Sequence, residues 1–159
     1  MIVVQIGIAG DRPCGWAYQP RRDDDEPGDV CSGNVQGTQN QTILYVANLV
    51  LERIGVLKPK KCGAPDADGA NVVIQASQTY LIKGMNGQHD GRANRELWDS
   101  LRETYRQRSL EGFVVCWQHI PATENPMREP ASTAMRECEP ISLSTSEAAV
   151  AKKAPWEEE

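Results

Sequence analysis

Residues 72–85 read Val-Val-Ile-Gln-Ala-Ser-Gln-Thr-Tyr-Leu-Ile-Lys-Gly-Met, and the fold is decided by how this stretch is read. Val72, Val73 and Ile74 form a β-branched run suited to a buried strand. Thr79–Met85 reads as a short helix, with Tyr80 to Met85 packing back on that strand.

Before this stretch, residues 2–10 alternate, placing Val4, Ile6 and Ile8 on one face of a first strand. Gly15 to Tyr18 opens a second strand, and a short third is expected around Val30–Ser32. Between them, residues 20–29 carry the run Asp23-Asp24-Asp25-Glu26 and read as a solvated loop. Thr38 to Ile54 reads as a helix capped by Thr38, with Leu44, Ala47, Val50, Leu51 and Ile54 as its apolar stripe. Residues 58–70 are a linker by composition. After the opening stretch, 86–92 is a polar loop, 94–107 an amphipathic helix, Phe113–Gln118 a strand and roughly 127–138 a last helix. This order, β-β-β-α-β-α-α-β-α, predicts an α/β fold. The expected core is a mixed five-stranded sheet, three antiparallel strands and then parallel ones, with helices on both faces. Residues 1–140 form the expected domain and 141–159, poor in large apolar residues, a mobile C-terminal tail.

The 72–85 stretch resembles the third-strand motif of type 1 ribonuclease H. It looks especially like the divergent fungal-type members, which run roughly Val-Val-Ile-Lys-Thr-Asp-Ser-Glu-Tyr-Leu-Val-Lys-Gly-Met, and the two align without a gap. Ile6-Gly7-Ile8-Ala9-Gly10 is similar to the family's first-strand Ile-Gly-Ile-Asp-Gly, and Gly15-Trp16 to its Gly-Trp. Thr38-Gln39-Asn40-Gln41 resembles the cap of its first helix, and Asn94-Arg95-Glu96-Leu97-Trp98 a later helix start. Trp117 to Asn125 resembles its Trp-x-x-Val-Pro-Arg-Glu-x-Asn segment. Similarity extends from about residue 2 to 136 and implies a ribonuclease H-like fold.

The same alignment removes the family's chemistry. Members are understood to hold two Mg²⁺ ions on four carboxylates, which clamp the attacking and leaving oxygens. Here those positions are Ala9, Ile43 (or Leu44 under a one-residue shift), Ser77 and Glu129. Mg²⁺ depends on hard, anionic oxygen ligands. One carboxylate cannot supply them, so neither tight Mg²⁺ binding nor hydrolysis by the family mechanism is expected, and no cofactor is assigned. A basic insertion that grips substrate in some members is also absent, since residues 86–93 are too short for it.

Bulk properties narrow the partners. Asp and Glu outnumber Lys and Arg 22 to 17, giving a net charge of -5, which argues against strong non-specific nucleic-acid binding. No apolar run approaches a membrane span. Five widely spaced cysteines without Cys-x-x-Cys favour free thiols over a disulfide framework or zinc site. Together with a start directly in Ile2-Val3-Val4, this predicts an intracellular protein, cytoplasmic or nuclear.

Other acid–base groups are candidates for a converted site. Asp11 follows Ala9 by two residues and reads as a turn aspartate or a pocket acid. His119 follows a strand and reads as structural or as an acid–base group. Glu129 reads as a surface or a pocket residue. Trp16, Trp98 and Trp117 read as core or as stacking platforms, and Cys14 as a buried or a reactive thiol. Two functions rank ahead of residual metal-dependent nuclease activity through substitute acids. One is a catalytically defective ribonuclease H-like protein kept for binding a protein partner or, weakly, a nucleic acid. The other is a repurposed, metal-free enzyme acting on a small organic ligand through Asp11, His119 and Glu129.

Overall fold

β1, Ile2–Gly10, lies inside the sheet and turns its alternating apolar residues to the core. Ile2, Val4, Ile6 and Ile8 are all buried, while Val3 and Gln5 between them are half-buried. β1 pairs antiparallel with β2, Cys14–Arg22, through the tight connection at residues 11–13. On its other side it runs parallel to β4, Asn71–Ala76, which belongs to the stretch that predicted the fold. β3, Cys31–Gln36, continues the antiparallel side, and β5, Val114–His119, the parallel side. In this computed structural model the described residues are 1–22, 27–56, 71–88 and 93–143. The acidic run 23–26, the linker 58–70, part of the 86–92 loop, Cys62 and positions 144–159 lie outside them.

Among the described residues the expected five strands are corrected to six. The sixth, β6, Pro140–Ser142, runs parallel to β3 at the sheet edge, and the order is β5-β4-β1-β2-β3-β6. Three exposed residues opened by a proline carry no strand pattern, and an edge is where proline is tolerated. Two contacts fix it. Asn34 on β3, 3% exposed, donates its amide to the carbonyls of Met135 and Cys138, each at 3.0 Å, tying down the chain just before β6. Leu143 then enters the core at 7% exposure. The packing of the described residues therefore runs on through Leu143, a few residues past 140.

Helices cover both faces. α1, Gln39–Val56, begins after Thr38 in a reciprocal capping box. The Gln41 amide donates to Thr38 Oγ1 at 3.1 Å, and the Thr38 amide donates to Gln41 Oε1 at 2.9 Å. The predicted stripe Leu44, Ala47, Val50, Leu51 and Ile54 is buried, but so are Ile43, Val46 and Leu49. α1 needs this wider apolar surface because it lies between the sheet and α3, Arg95–Leu110. α2, Thr79–Met85, is the short helix following β4.

On the opposite face α4, Arg128–Glu137, sits directly on β1 and β2. A Cβ on Gly7 would collide with the Met127 backbone, and one on Gly15 with the Ala131 carbonyl. Both glycines are therefore needed for backbone-to-backbone approach. Trp98 and Trp117 are core residues, and Trp16 packs against the core while stacking on Tyr18 at 6.0 Å. Cys14, Cys31, Cys116 and Cys138 are free thiols. No described helix is long and apolar enough to cross a membrane.

Candidate functional site

β1 and β4 are parallel neighbours, so their carboxyl ends open on the same side of the sheet. This is the ordinary place for a ligand crevice in such sheets. A cleft of about 440 Å³ lies there. Ala9 and Gly10 from the end of β1 form its floor with Ser77 and Gln78 from just beyond β4. The first residue of α1, Gln39, borders it, and α4 contributes Arg128, Ser132 and Met135.

Asn125 organises the cleft from below. It is 7% exposed and follows a 3₁₀ turn, Ala122–Glu124. Its Nδ2 donates to the Ile6 carbonyl at 2.8 Å and to Ser77 Oγ at 3.1 Å. Its Oδ1 accepts the Met127 amide at 3.0 Å. One side chain thus ties β1, the β4 exit and the start of α4 together. Because Ser77 Oγ accepts from Asn125, its own O–H proton is left to be donated elsewhere. Ser132 is in the same position, since its Oγ accepts from Arg136 Nη1 at 2.9 Å.

Among the described residues, the cleft is lined by no Asp, Glu, His or Cys, and its one charged lining residue is Arg128. Among the described residues nothing forms a hydrogen bond or ion pair with the Arg128 guanidinium. No three His, Cys, Asp or Glu among the described residues are placed to hold a metal ion. The pair of Mg²⁺ ions implied by the sequence resemblance needs anionic oxygens. Neutral hydroxyls, amides and a guanidinium do not provide them, and the residues of this cleft do not fit the two-metal group.

The sequence-derived residues are dispersed. Ala9 and Ser77 share the cleft. Ile43 and Leu44 do not reach it under either alignment, because both are fully buried in the core. α1 begins at Gln39, and its first turn presents Gln39 to the cleft. Glu129 is displaced to an adjacent hollow with Thr123, Pro126 and Arg136. Arg128 and Ser132 border both hollows.

Asp11 is exposed, and its Oδ1 accepts the Gln39 amide at 3.2 Å. It therefore supports the start of α1, where the helix dipole favours an anion. Gln39 in turn donates through Nε2 to the Gly10 carbonyl at 3.0 Å. His119 is exposed at the end of edge strand β5, separated from β1 by β4. Among the described residues, Asp11, His119 and Glu129 are thus not brought together in either hollow. Cys14 is buried, and burial above all pushes its thiol pKa up. Asp11's charge adds to this, and a hydrogen bond with Thr42 opposes it. A raised pKa disfavours the reactive thiolate.

Sequence reasoning missed Gln39, Gln78, Arg128 and Ser132. A signal existed for Gln39, since Thr38-x-x-Gln41 is a capping-box pattern that places position 39 in the first helical turn. Arg128 carried none, because its role depends on where α4 begins.

Solved structures with similar architecture include the ribonuclease H1 of the halophilic archaeon Halobacterium salinarum NRC-1, 13% identical. It matches 86% of this chain and 98% of its own with a TM-score of 0.65. The N-terminal ribonuclease H domain of Rv2228c from Mycobacterium tuberculosis, solved as a fusion with maltose-binding protein, is 14% identical. It matches over 93% and 97% of the two chains with a TM-score of 0.66. LC11-RNase H1 in complex with an RNA/DNA hybrid is 17% identical over 86% and 94%, with a TM-score of 0.62. No family model and no curated protein matches the chain. These likenesses show a ribonuclease H-like fold, as the motifs predicted.

Proposed function

We propose that this chain is a catalytically defective ribonuclease H-like protein, kept for binding rather than cutting, with nucleic acid as a weak ligand. The observation that carries this reading is the absence of carboxylates from the cleft at the β1 and β4 ends, where the single charge belongs to Arg128. A two-metal hydrolase needs ligands that neutralise and position its ions. This cleft has the reverse electrostatic character and suits an anion.

Three features support weak binding. The fold is shared with a protein solved on an RNA/DNA hybrid. Arg128 and Arg136 border the two hollows beside α4. The net charge of -5 opposes a strong non-specific grip. The repurposed-enzyme alternative gains no support from these two hollows, since among the described residues Asp11 and His119 line neither and Glu129 lines only the second.

Fluorescence anisotropy with a labelled RNA/DNA hybrid, in EDTA and again in Mg²⁺, tests the proposal. The expected dissociation constant is about micromolar or weaker, unchanged by metal, with intact hybrid recovered afterwards. Metal-dependent cleavage by purified protein contradicts it.

A further inference from the structure

We infer that the cleft at the carboxyl ends of β1 and β4 is an oxyanion site that takes a phosphate group through Arg128, Ser77 and Ser132. The inference deepens the proposed function and rests on its premise that the cleft binds without a metal. The three side chains line one hollow, and each has donor capacity left over. Ser77 Oγ already accepts from Asn125 and Ser132 Oγ already accepts from Arg136, so both hydroxyls have protons to give. The Arg128 guanidinium offers up to five N–H donors in a planar fork matched to tetrahedral oxyanions.

The lining is equally informative for what it excludes. No carboxylate stands in the cleft to repel an anion or to pair with Arg128. Of the carboxylates nearby, Glu129 lines the neighbouring hollow together with Arg136, and Asp11 is taken up at the cleft's edge by the Gln39 amide. Arg128 is the first residue of α4, so the positive end of that helix dipole adds to its charge. Where the sequence resemblance implies cations held on acids, this chain supplies a fixed cation of its own. A phosphate can be held there and not cut, because none of the described lining residues is a base that could activate a water. The cleft, about 440 Å³, has room for a phosphoryl group together with the ester that carries it.

Two titrations of the full-length protein test the inference, one with inorganic phosphate followed by amide NMR shifts, the other with an RNA/DNA hybrid. The expected result is saturable phosphate binding, with the largest shifts at Ser77, Gln78 and the start of α4. Arg128→Gln should weaken it roughly tenfold or more, and Ser132→Glu, which brings in a carboxylate, should abolish it. Arg128 is exposed, so its replacement leaves the fold intact, and an unchanged melting temperature verifies this.

If the hybrid shows the same Arg128 dependence, the phosphate comes from a nucleic-acid backbone and both readings stand. If phosphate binds through Arg128 and the hybrid does not bind, the oxyanion site stands for a free phosphate ester and the nucleic-acid reading falls. If phosphate fails to bind, or binds Arg128→Gln equally well, the inference is overturned. Uncut hybrid bound independently of Arg128 would still leave the binding function in place.

Discussion

Asn125 Nδ2 lies 3.1 Å from Ser77 Oγ, joining the turn before α4 to the exit of β4. The same amide reaches the Ile6 carbonyl at 2.8 Å, and its oxygen holds the Met127 amide at 3.0 Å. The cleft floor is therefore braced by a neutral, buried hydrogen-bonding hub.

Asn125→Ala removes that hub and strands a buried carbonyl and a buried amide. The expected cost is about 2–4 kcal/mol, read from urea unfolding. Ser77→Ala loses only one arm of the network and should cost about 1 kcal/mol. Equal losses from the two variants would show that Asn125 is not the brace.

Gly15→Ala places a methyl against the Ala131 carbonyl, with Met135 also in the way. No flexible side-chain tip is available to yield, so α4 must lift from β2. The expected destabilisation is about 3 kcal/mol, with broadened amide signals along α4 in NMR spectra. A neutral outcome would mean that α4 is not seated on the sheet at this distance.

Alkaline pH should weaken the fold through three buried groups. Burial is the largest cause raising the pKa of Tyr18, Tyr45 and Cys14. For Tyr18 the neighbouring Cys31 adds to it, and for Tyr45 the charge of Glu52 does. Each group holds its proton more firmly folded than unfolded. Its contribution is complete below the ordinary values, 9.0 for Cys and 10.0 for Tyr, and is lost as pH climbs towards the folded values. Unfolding free energy measured in urea from pH 8 to 11 should fall, by at most about 1.4 kcal/mol per pH unit for each proton. Tyr18→Phe should flatten the decline, and an unchanged slope would count against this assignment.

Carboxylates can be returned to the cleft. Ala9→Asp combined with Ser77→Asp puts two acids where the family motifs carry them, and Gln39→Glu adds the α1 side chain that actually reaches the cleft. The triple variant should acquire saturable Mn²⁺ binding by calorimetry. Adding Arg128→Gln should tighten it, because the guanidinium otherwise pairs with the new acids. A triple variant that ignores Mn²⁺ would show that the backbone at the β1 and β4 ends no longer supports the family's geometry.

Much of the fold was legible from local patterns. Val4, Ile6 and Ile8 alternate, Thr38 caps a helix, and Val72–Ile74 run into a short helix, each pattern matching the element formed. β6 was not, because Pro140, Ile141 and Ser142 are held by the distant Asn34 tether and by Leu143 rather than by their own preference. The extent of β3 escaped for a similar reason, since Asn34 is tied to the end of α4 while Val35, paired with β6, enters the main core on the other face. The site was half legible. Ala9 and Ser77 leave strand ends, where position along the chain fixes location. Ile43, Leu44 and Glu129 sit on helices, where one residue turns the side chain by about 100°. Direction there depends on the exact first residue of each helix, which motif spacing does not supply.

The central claim is that this cleft has exchanged metal ligands for a cation. A Mn²⁺ titration of the wild-type protein, followed by paramagnetic broadening of amide signals, tests it most directly. The expected result is no selective broadening around Ala9, Ser77 and Gln78 at millimolar Mn²⁺. Saturable broadening centred on those residues, displaced by Mg²⁺, would contradict the account.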